Sequence, residues 1–380
     1  MNILFISKLS GNLWAGPNNS VPAQIKAQSQ TDNCFWYNLN HVKREEWQTD
    51  ELSCKNLDDY PSKRLSDLPS PFNHPDIVVI EEVYCYPFEK IILEIINAKI
   101  PYVIIPRSVL TIQAQNQKKL KKIIGNVIWF NYVIRNAAAV QYLTKSEKEE
   151  SIGKFHKKCF VIPNGITMPI ERTRLKEAKY KKINISYIGR IDFYQKGIDL
   201  LIETINKNRE NMTKYNCAVN LYGPINKIER AIILNKIEEY RLNELLFVHD
   251  SVFGEEKKKV LLNTDIFIMT SRFEGLPMGL IEALSYGIPC FVTKGTNMDT
   301  EILRFNAGWT SNNQIESISS VFNQMIQERE QVVEKGENAR ILASNYSWTR
   351  IAQKSHKVYS RIIGEIVDDK GYEDIKNIAR

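Results

Sequence analysis

The chain reads SRFEGLPMGLIEALSYGIPCFV from Ser271 to Val292. The apolar run Asp265–Met269 precedes this stretch and predicts a β-strand. Pro277 suits the first position of a helix, where a proline loses no intrahelical hydrogen bond and already has the right φ angle. The stretch therefore predicts a tight turn, a helix, a second turn and another strand at Pro289–Thr293.

Two glutamates flank the predicted start of this helix. Glu274 lies in the turn, and Glu282 lies five residues beyond Pro277, roughly 7.5 Å further along the helix axis. The N–H groups of the first turn have no helical partner, so they predict an anion site. A nucleotide-sugar suits this arrangement, with its diphosphate at the helix tip and its sugar and ribose hydroxyls on the two carboxylates. Taken singly, each glutamate also fits an ordinary loop or solvated helix position.

A basic loop follows another predicted strand, Ile183–Ile188. It reads GRIDFYQKG and begins at Gly189. Arg190 offers a bidentate fork to phosphate oxygens, and Lys196 adds a point charge just before the next predicted helix. Because this loop and the Glu274 turn both follow parallel strands, we expect them to face the same crevice. Taken alone, the loop also fits a solvated basic turn.

Composition excludes several classes of protein. The 380 residues are 43% hydrophobic and 25% charged, which is typical of a globular protein long enough for two domains. The net charge of +7 is too diffuse to indicate nucleic-acid binding, but it fits an anionic substrate or an acidic membrane surface. The six cysteines have no metal-site spacing, so we expect reduced thiols and no bound metal. Since no run of about 18 apolar residues occurs, we expect a cytoplasmic protein without a membrane span.

Short strand-like runs alternate with helical patterns along the chain, which predicts parallel α/β layers. A charged stretch from the turn at Pro163 to about residue 182 separates two sets of runs, so we expect two Rossmann-like halves divided near residues 165–180. The predicted strands are Ile3–Ser7, Phe35–Asn38, Ile77–Glu81, Tyr102–Ile105, Ala139–Leu143, Phe160–Ile162, Ile183–Ile188, Ala218–Tyr222, Leu246–His249, Asp265–Met269 and Pro289–Thr293.

These motifs together resemble those of the retaining glycosyltransferases of family 4. The Phe-Glu-Gly-Leu-Pro and Glu-Ala-Leu strings are similar to the donor-site signature, and Gly-Arg followed by Lys-Gly is similar to the diphosphate element. The resemblance implies a GT-B fold, in which two Rossmann-like domains face each other across a cleft. It implies an acceptor domain at 1–165 and a nucleotide-sugar domain at 166–347. The remainder, 348–380, is expected to form a helix that returns to the first domain, followed by a polar tail.

The resemblance also implies roles for individual residues. Arg190 and Lys196 are expected to hold the donor diphosphate, and with Glu274 they are the predicted catalytic residues. Charge then stabilises the departing diphosphate without a metal ion or another cofactor. The predicted donor site consists of Gly16, Gly189, Arg190, Lys196, Gly223, Val252, Phe253, Glu274, Gly275, Leu276, Pro277 and Glu282.

The first half departs from the family pattern at two places. The loop with Trp14 and Gly16 contains one Gly-Pro pair, whereas relatives carry paired glycines there. The strand Tyr102–Ile105 is followed by Pro-Arg-Ser, whereas many relatives carry a histidine next to the reacting sugar. We therefore expect a mechanism that does not depend on histidine. Trp14 and Arg107 are predicted to contact the acceptor or the sugar, and the alternative for Arg107 is an ion pair between the domains.

The implied function is retaining transfer from a UDP-, GDP- or ADP-sugar to a saccharide or lipid-linked acceptor, in the synthesis of capsule, O-antigen or exopolysaccharide. A sugar-nucleotide epimerase on the same fold and a non-catalytic glycan-binding partner are the alternatives. The small number of histidines disfavours the first, and the intact charged motifs disfavour the second. The basic run Lys118–Lys122 before the apolar run Ile123–Tyr132 predicts either peripheral contact with the inner face of the plasma membrane or a plain domain helix.

Overall fold

The computed structural model describes residues 1–12, 16–49, 52–112, 123–151, 158–171 and 182–367. The chain divides into two compact units. Unit 1 is Met1–Gly165 together with Trp348–Arg380, and unit 2 is Ile166–Ser347. The last segment of the chain therefore belongs with the first one.

Unit 1 is built on a sheet of mostly parallel strands. Its strands are β1 (Asn2–Ser7), β2 (Asn33–Asn38), β3 (Gln48–Thr49), β4 (Leu52–Lys55), β5 (Ile77–Glu81), β6 (Tyr102–Ile105), β7 (Ala139–Tyr142) and β8 (Cys159–Val161). Within the described part of the chain they form one eight-stranded sheet in the order β3-β4-β2-β1-β5-β6-β7-β8. Only the β3–β4 pair is antiparallel among these strands.

Both faces of the unit 1 sheet are buried under helices. In β1, Leu4 and Ile6 pack into the core on one face, and Ile3 and Phe5 pack into the core on the other. This alternation follows from the geometry of a strand, whose successive side chains point to opposite faces. The covering helices are Lys90–Asn97 and Asn131–Asn136 on the first face, and Pro17–Gln28 and Trp348–Val367 on the second. The other helical elements described in this unit include a π-helical turn (Asn126–Phe130), the helix Lys145–Ser151 and the 3-10 turns Glu45–Trp47 and Leu65–Asp67.

The helix Trp348–Val367 is an integral part of unit 1. Ile351, Val358 and Ile362 lie in the same core cluster as Ile3, each with no more than 4% of its surface exposed. The buried Tyr359 hydroxyl donates a hydrogen bond to Gln141 Oε1 of β7 over 2.9 Å. The predicted return of the last helix to the first domain is confirmed.

Unit 2 is built on parallel strands alone. They are β9 (Ile183–Ile188), β10 (Cys217–Tyr222), β11 (Leu246–His249), β12 (Ile266–Met269), β13 (Cys290–Thr293) and β14 (Gly308–Ser311), and among the described residues they form a sheet in the order β11-β10-β9-β12-β13-β14. Its helices are Ile198–Lys214, Lys227–Glu239, Gly254–Leu262, Met278–Ser285, Asp299–Arg304, Ile315–Gln327 and Val332–Ser344.

All eleven predicted strands occur within two residues of the observed bounds. The structure also contains β3, β4 and β14, which the sequence pattern did not predict. All six cysteines are free. In the part of the chain that the structure describes, no helix has both the length and the apolar composition that crossing a membrane requires.

Candidate functional site

The candidate site lies in unit 2, where the strand order of the sheet reverses. β9 and β12 are neighbours, but β9 connects to β10 on one side and β12 connects to β13 on the other. The two loops that leave their carboxyl ends therefore diverge. Such a switch point is the usual binding crevice of an open parallel sheet.

Lys196 and Glu274 meet at this switch point as an ion pair. Lys196 Nζ lies 2.6 Å from Glu274 Oε1, and the Ser271 hydroxyl donates to the same oxygen over 2.7 Å. The two charged side chains are 16% and 8% exposed. The lysine is thus mostly buried against the carboxylate, and its predicted role in holding the donor diphosphate stays a prediction. The structure does bring together the two loops that the sequence singled out.

Two glycines let the loops approach each other closely. Gly197 has a left-handed backbone (φ +63°), and a Cβ atom at this position would lie 2.0 Å from the Thr270 carbonyl oxygen. The Thr270 hydroxyl donates to the Gly197 carbonyl over 2.9 Å. A Cβ atom on Gly223 would lie 1.8 Å from the carbonyl oxygen of Gly189. No other residue type fits at these two positions without moving the backbone.

Arg190 lies on the same loop as Lys196, and a side chain of β9 fixes its backbone by a hydrogen bond. The buried Tyr187 hydroxyl donates to the Arg190 carbonyl over 2.7 Å, and burial raises the pKa of Tyr187 well above its usual range. The guanidinium is about half exposed and is paired with Asp192 and with the side-chain oxygen of Gln195. These two hydrogen bonds use one N–H of each terminal nitrogen, out of the five N–H donors of a guanidinium. Sequence reasoning missed Asp192, although it lies only two residues away.

The turn after Glu274 ends in a helix, as the sequence predicts, but Pro277 is the residue before that helix rather than its first residue. The Pro277 carbonyl accepts the N–H groups of Leu280 and Ile281 over 3.0 and 3.1 Å. Among the described residues, the N–H groups of Gly275, Leu276, Met278 and Gly279 donate no hydrogen bond. These unpaired donors lie where the sequence predicts an anion site, and anion binding by them stays a prediction.

Glu282 lies in the second turn of the helix Met278–Ser285 and is paired with Lys257. Both side chains are about one quarter exposed. Lys257 belongs to the helix Gly254–Leu262, which begins directly after Phe253. Val252 is buried, whereas Phe253 is 53% exposed. The ion pair therefore links the helix that follows Val252 and Phe253 to the helix that carries Glu282, and all three residues belong to the predicted donor site.

A third loop supports the Glu274 turn from the next strand. Asn297 follows β13, has a left-handed backbone (φ +57°), and donates a side-chain N–H to the Glu274 carbonyl. Asn313 and Thr293 both donate to the Ser271 carbonyl, over 2.8 and 2.7 Å. The turn that presents Glu274 is thus fixed by hydrogen bonds from outside its own loop.

The predicted site residues of unit 1 lie in different surroundings. Gly16 precedes the helix Pro17–Gln28 and its carbonyl accepts the N–H of Ser20 over 3.0 Å. A Cβ atom on Gly16 would meet nothing within 4 Å, so local packing does not require a glycine there. Trp14 lies outside the described residues, as does the basic run Lys118–Lys122. The contacts predicted for these residues stay predictions.

Arg107 is buried within unit 1. Its Nε lies 2.8 Å from Glu81 Oε2, and the two side chains are 5% and 1% exposed. The same guanidinium donates to Ser20 and to Gln24 over 3.0 and 3.1 Å. Burial raises the pKa of Glu81, although Arg107 opposes this shift. The alternative of an ion pair between domains is wrong, because Glu81 belongs to the same unit; sugar binding by Arg107 stays a prediction.

Comparison with known proteins places this geometry in a family context. Residues 169–342 match the model of the protein family described as Glycosyl transferases group 1. The chain is 27% identical over 210 residues to one component of the human phosphatidylinositol N-acetylglucosaminyltransferase, over 54% of this chain and 42% of that protein. It is 27% identical over 196 residues to the amylovoran biosynthesis glycosyltransferase AmsD of Erwinia amylovora, over 50% of this chain and 53% of that protein. The matches thus span about half the length of these curated relatives.

A solved structure resembles the whole chain. The Anabaena protein HepE, crystallised in complex with UDP, aligns with a TM-score of 0.69 at 15% sequence identity. The alignment covers 95% of this chain and 100% of that chain. At this identity the likeness shows the fold alone, and it confirms the predicted fold class.

Proposed function

We propose that this chain, whose residues 169–342 match the family model of the glycosyl transferases group 1, moves a sugar from a nucleotide-sugar to a saccharide or lipid-linked acceptor. The observation that carries the proposal is the Lys196–Glu274 pair at the switch point of the unit 2 sheet, beside Arg190 and a row of unpaired backbone N–H groups. Cations and backbone donors suit a diphosphate, and a carboxylate suits sugar hydroxyls.

The donor is expected to lie along this row of groups. Its diphosphate binds Arg190, Lys196 and the N–H groups after Glu274. Glu274 accepts hydrogen bonds from sugar hydroxyls, and Glu282 accepts them from the ribose. The half-exposed Arg190 can exchange Asp192 for phosphate at little cost, since exposed ion pairs contribute little free energy.

The chemical step is then driven by charge. The bond between the anomeric carbon and the phosphate oxygen breaks, and the electron pair leaves with the nucleoside diphosphate. The oxygen of an acceptor hydroxyl forms the new bond and gives its proton to an oxygen of the departing diphosphate. Arg190 and Lys196 stabilise the negative charge that grows on the leaving phosphate. Retention of the anomeric configuration is the outcome that the resemblance to retaining enzymes supports.

Relatives support the choice of donor and product. HepE was crystallised with UDP, and AmsD takes part in amylovoran biosynthesis. We therefore place UDP-sugars ahead of GDP- and ADP-sugars as donors, and a cell-surface polysaccharide ahead of other glycans as product. The proposed location is the cytoplasm, with contact to the membrane as described below.

A donor screen tests this function. A thermal-shift series with UDP-, GDP- and ADP-sugars is expected to give one strong stabiliser, because a ligand at 100 times its Kd adds about 2.7 kcal/mol. The stabilising donor is then incubated with and without saccharide acceptors. An isomerised sugar formed from the donor alone would indicate the epimerase instead. Binding without any turnover would indicate the glycan-binding alternative.

Transfer is expected to need no divalent metal. Arg190 and Lys196 supply the positive charge that a metal ion provides in other transferases. Turnover should therefore change less than twofold in excess EDTA, measured as nucleoside diphosphate released. A loss of turnover that manganese or magnesium restores would contradict the assignment of these two cations.

An exposed apolar surface of unit 1 supports peripheral membrane contact. We name the membrane patch as the side chains of Phe88, Ile124, Val127, Ile128 and Tyr132, which are 61%, 58%, 75%, 60% and 47% exposed. The aromatic rings of Phe88 and Tyr132 contact the ring of the buried Trp129, at centroid distances of 5.0 and 6.4 Å. Aliphatic side chains edged by aromatic ones suit the boundary between lipid and water.

Charging this patch is expected to weaken binding to vesicles that contain anionic lipid by at least about tenfold, since each buried aliphatic side chain contributes about 1.5–3 kcal/mol. The variant is Val127→Glu/Ile128→Glu, and the measurement is co-sedimentation. The matched control is Leu303→Glu/Ile341→Glu, whose residues are 61% and 57% exposed in unit 2. Equal loss in both variants would indicate a charge effect without a specific patch.

A further inference from the structure

Arg272 joins the two loops that carry the candidate catalytic residues. It lies two residues before Glu274, and its guanidinium makes a bidentate ion pair with Asp199 over 2.8 and 2.7 Å. Asp199 lies in the first turn of the helix Ile198–Lys214, just after Lys196 and Gly197. The pair therefore connects the Glu274 loop to the segment that follows Lys196.

Arg272 also contacts the segment that precedes Lys196. Its Nη1 donates to the Tyr194 carbonyl over 2.8 Å, and its guanidinium carbon lies 4.7 Å from the centroid of the Tyr194 ring. Its backbone N–H donates to the Gln195 carbonyl over 2.9 Å. Arg272 thus holds residues on both sides of Lys196.

We propose that Arg272 is a positioning residue, which sets the distance between Lys196 and Glu274 by clamping one loop to the other. The proposal rests on the proposed function, because the Lys196–Glu274 pair is what the clamp positions. In this role Arg272 acts through its contacts with Asp199 and Tyr194 rather than through the donor. An arginine is required because only a planar fork can hold both carboxylate oxygens, a carbonyl oxygen and a ring face at once.

The clamp is expected to affect activity more than stability. The Arg272 and Asp199 side chains are 22% and 32% exposed, and partly exposed ion pairs contribute little to the free energy of unfolding. A small displacement of a catalytic group, in contrast, lowers a rate strongly. This difference separates a positioning role from a merely structural one.

The test compares Arg272→Gln, Arg272→Lys and the matched control Arg230→Gln. Arg230 pairs with Asp250 over 2.9 Å in the same unit, at an exposed site. Each variant is assayed by chemical unfolding and by transfer kinetics. We expect Arg272→Gln and Arg272→Lys to lower kcat/KM about tenfold, mostly through kcat, while their unfolding midpoints stay close to that of the control. Wild-type kcat in a folded Arg272→Gln variant would overturn the proposal.

A second measurement does not depend on transfer. The rate of Lys196 acetylation is measured by mass spectrometry of peptides, with Lys236 as the internal reference, since Lys236 pairs with Glu203 over 2.9 Å. Loosening the clamp is expected to raise Lys196 labelling at least threefold in Arg272→Gln and in Asp199→Asn, with Lys236 unchanged. Equal Lys196 labelling in wild type and variants would overturn the clamp. If the wild type transfers no sugar, the proposed function fails and this labelling alone decides whether the clamp exists.

Discussion

Replacement of Lys196 by alanine is expected to lower sugar transfer by about 10²–10³-fold, the range for removing one group that stabilises charge in the transition state. Lys196 is the cation paired with Glu274 at the switch point, and the donor diphosphate is proposed to bind there. The measurement is the initial rate of nucleoside diphosphate release at saturating donor. Wild-type turnover in the variant would remove Lys196 from the mechanism.

The same substitution is also expected to destabilise unit 2. Glu274 is only 8% exposed, so the variant leaves a buried carboxylate with Ser271 as its remaining side-chain donor. The cost is roughly 1–3 kcal/mol, typical of a buried polar group that loses its partner. The control is Lys196→Ala/Glu274→Gln, which removes the unpaired charge and should recover the stability without the activity. Recovery of activity together with stability would mean that Lys196 acts only through the fold.

Alanine at Glu274 and alanine at Glu282 are expected to affect ligand binding differently. Glu274→Ala should weaken the intact sugar donor about tenfold to hundredfold, because the loss of a charge-assisted hydrogen bond costs about 1.5–3 kcal/mol. It should leave the bare nucleoside diphosphate unchanged or more tightly bound, because Lys196 loses its competing carboxylate partner. Glu282→Ala should weaken both ligands at least about tenfold, since its proposed partner is the ribose. Titration calorimetry of both variants with both ligands gives the four affinities.

The control for Glu282 is its ion-pair partner. Lys257→Ala leaves the Glu282 carboxylate in place and removes only the lysine. We expect its nucleotide affinity to fall less than threefold. Equal losses in Lys257→Ala and Glu282→Ala would mean that the ion pair, and not a ribose contact, explains the effect. A Glu274→Ala variant that binds the bare diphosphate as poorly as the sugar donor would reverse the proposed orientation of the donor.

The strands of both units could be predicted because their patterns are local. β5, β6, β9 and β11 have the bounds that the apolar runs predict. A buried parallel strand is a short continuous apolar run, and that signal needs no knowledge of distant residues. β3 and β14 lack such a run: β3 is Gln-Thr, and β14 is Gly-Trp-Thr-Ser. Their pairing depends on neighbours that the sequence does not reveal.

The loops of the site could be predicted from the sequence, but the ion-pair partners of their charged side chains could not. The glycines, the proline and the charges of the two loops mark the turn chemistry and the anion site in the sequence itself. The ion-pair partners of Lys196, Glu282 and Arg107 lie between 25 and 78 positions away along the chain, and only the fold brings them near. The buried state of Lys196 follows from that pairing. Residue spacing therefore predicts which groups meet at a sheet edge, but not which of them neutralise one another.

The last helix packs in unit 1, and this has a consequence for how the chain folds during its synthesis on the ribosome. Unit 2 lies wholly between the two segments of unit 1, so its sheet is synthesised in full before Ile351 and Val358 emerge. Until then, the face of the unit 1 sheet that carries Ile3 and Phe5 lacks its second covering helix. Domains generally fold in the order in which they are made, but here the unit that is begun first is completed last. That uncovered face stays available to a nascent-chain chaperone throughout the synthesis of unit 2.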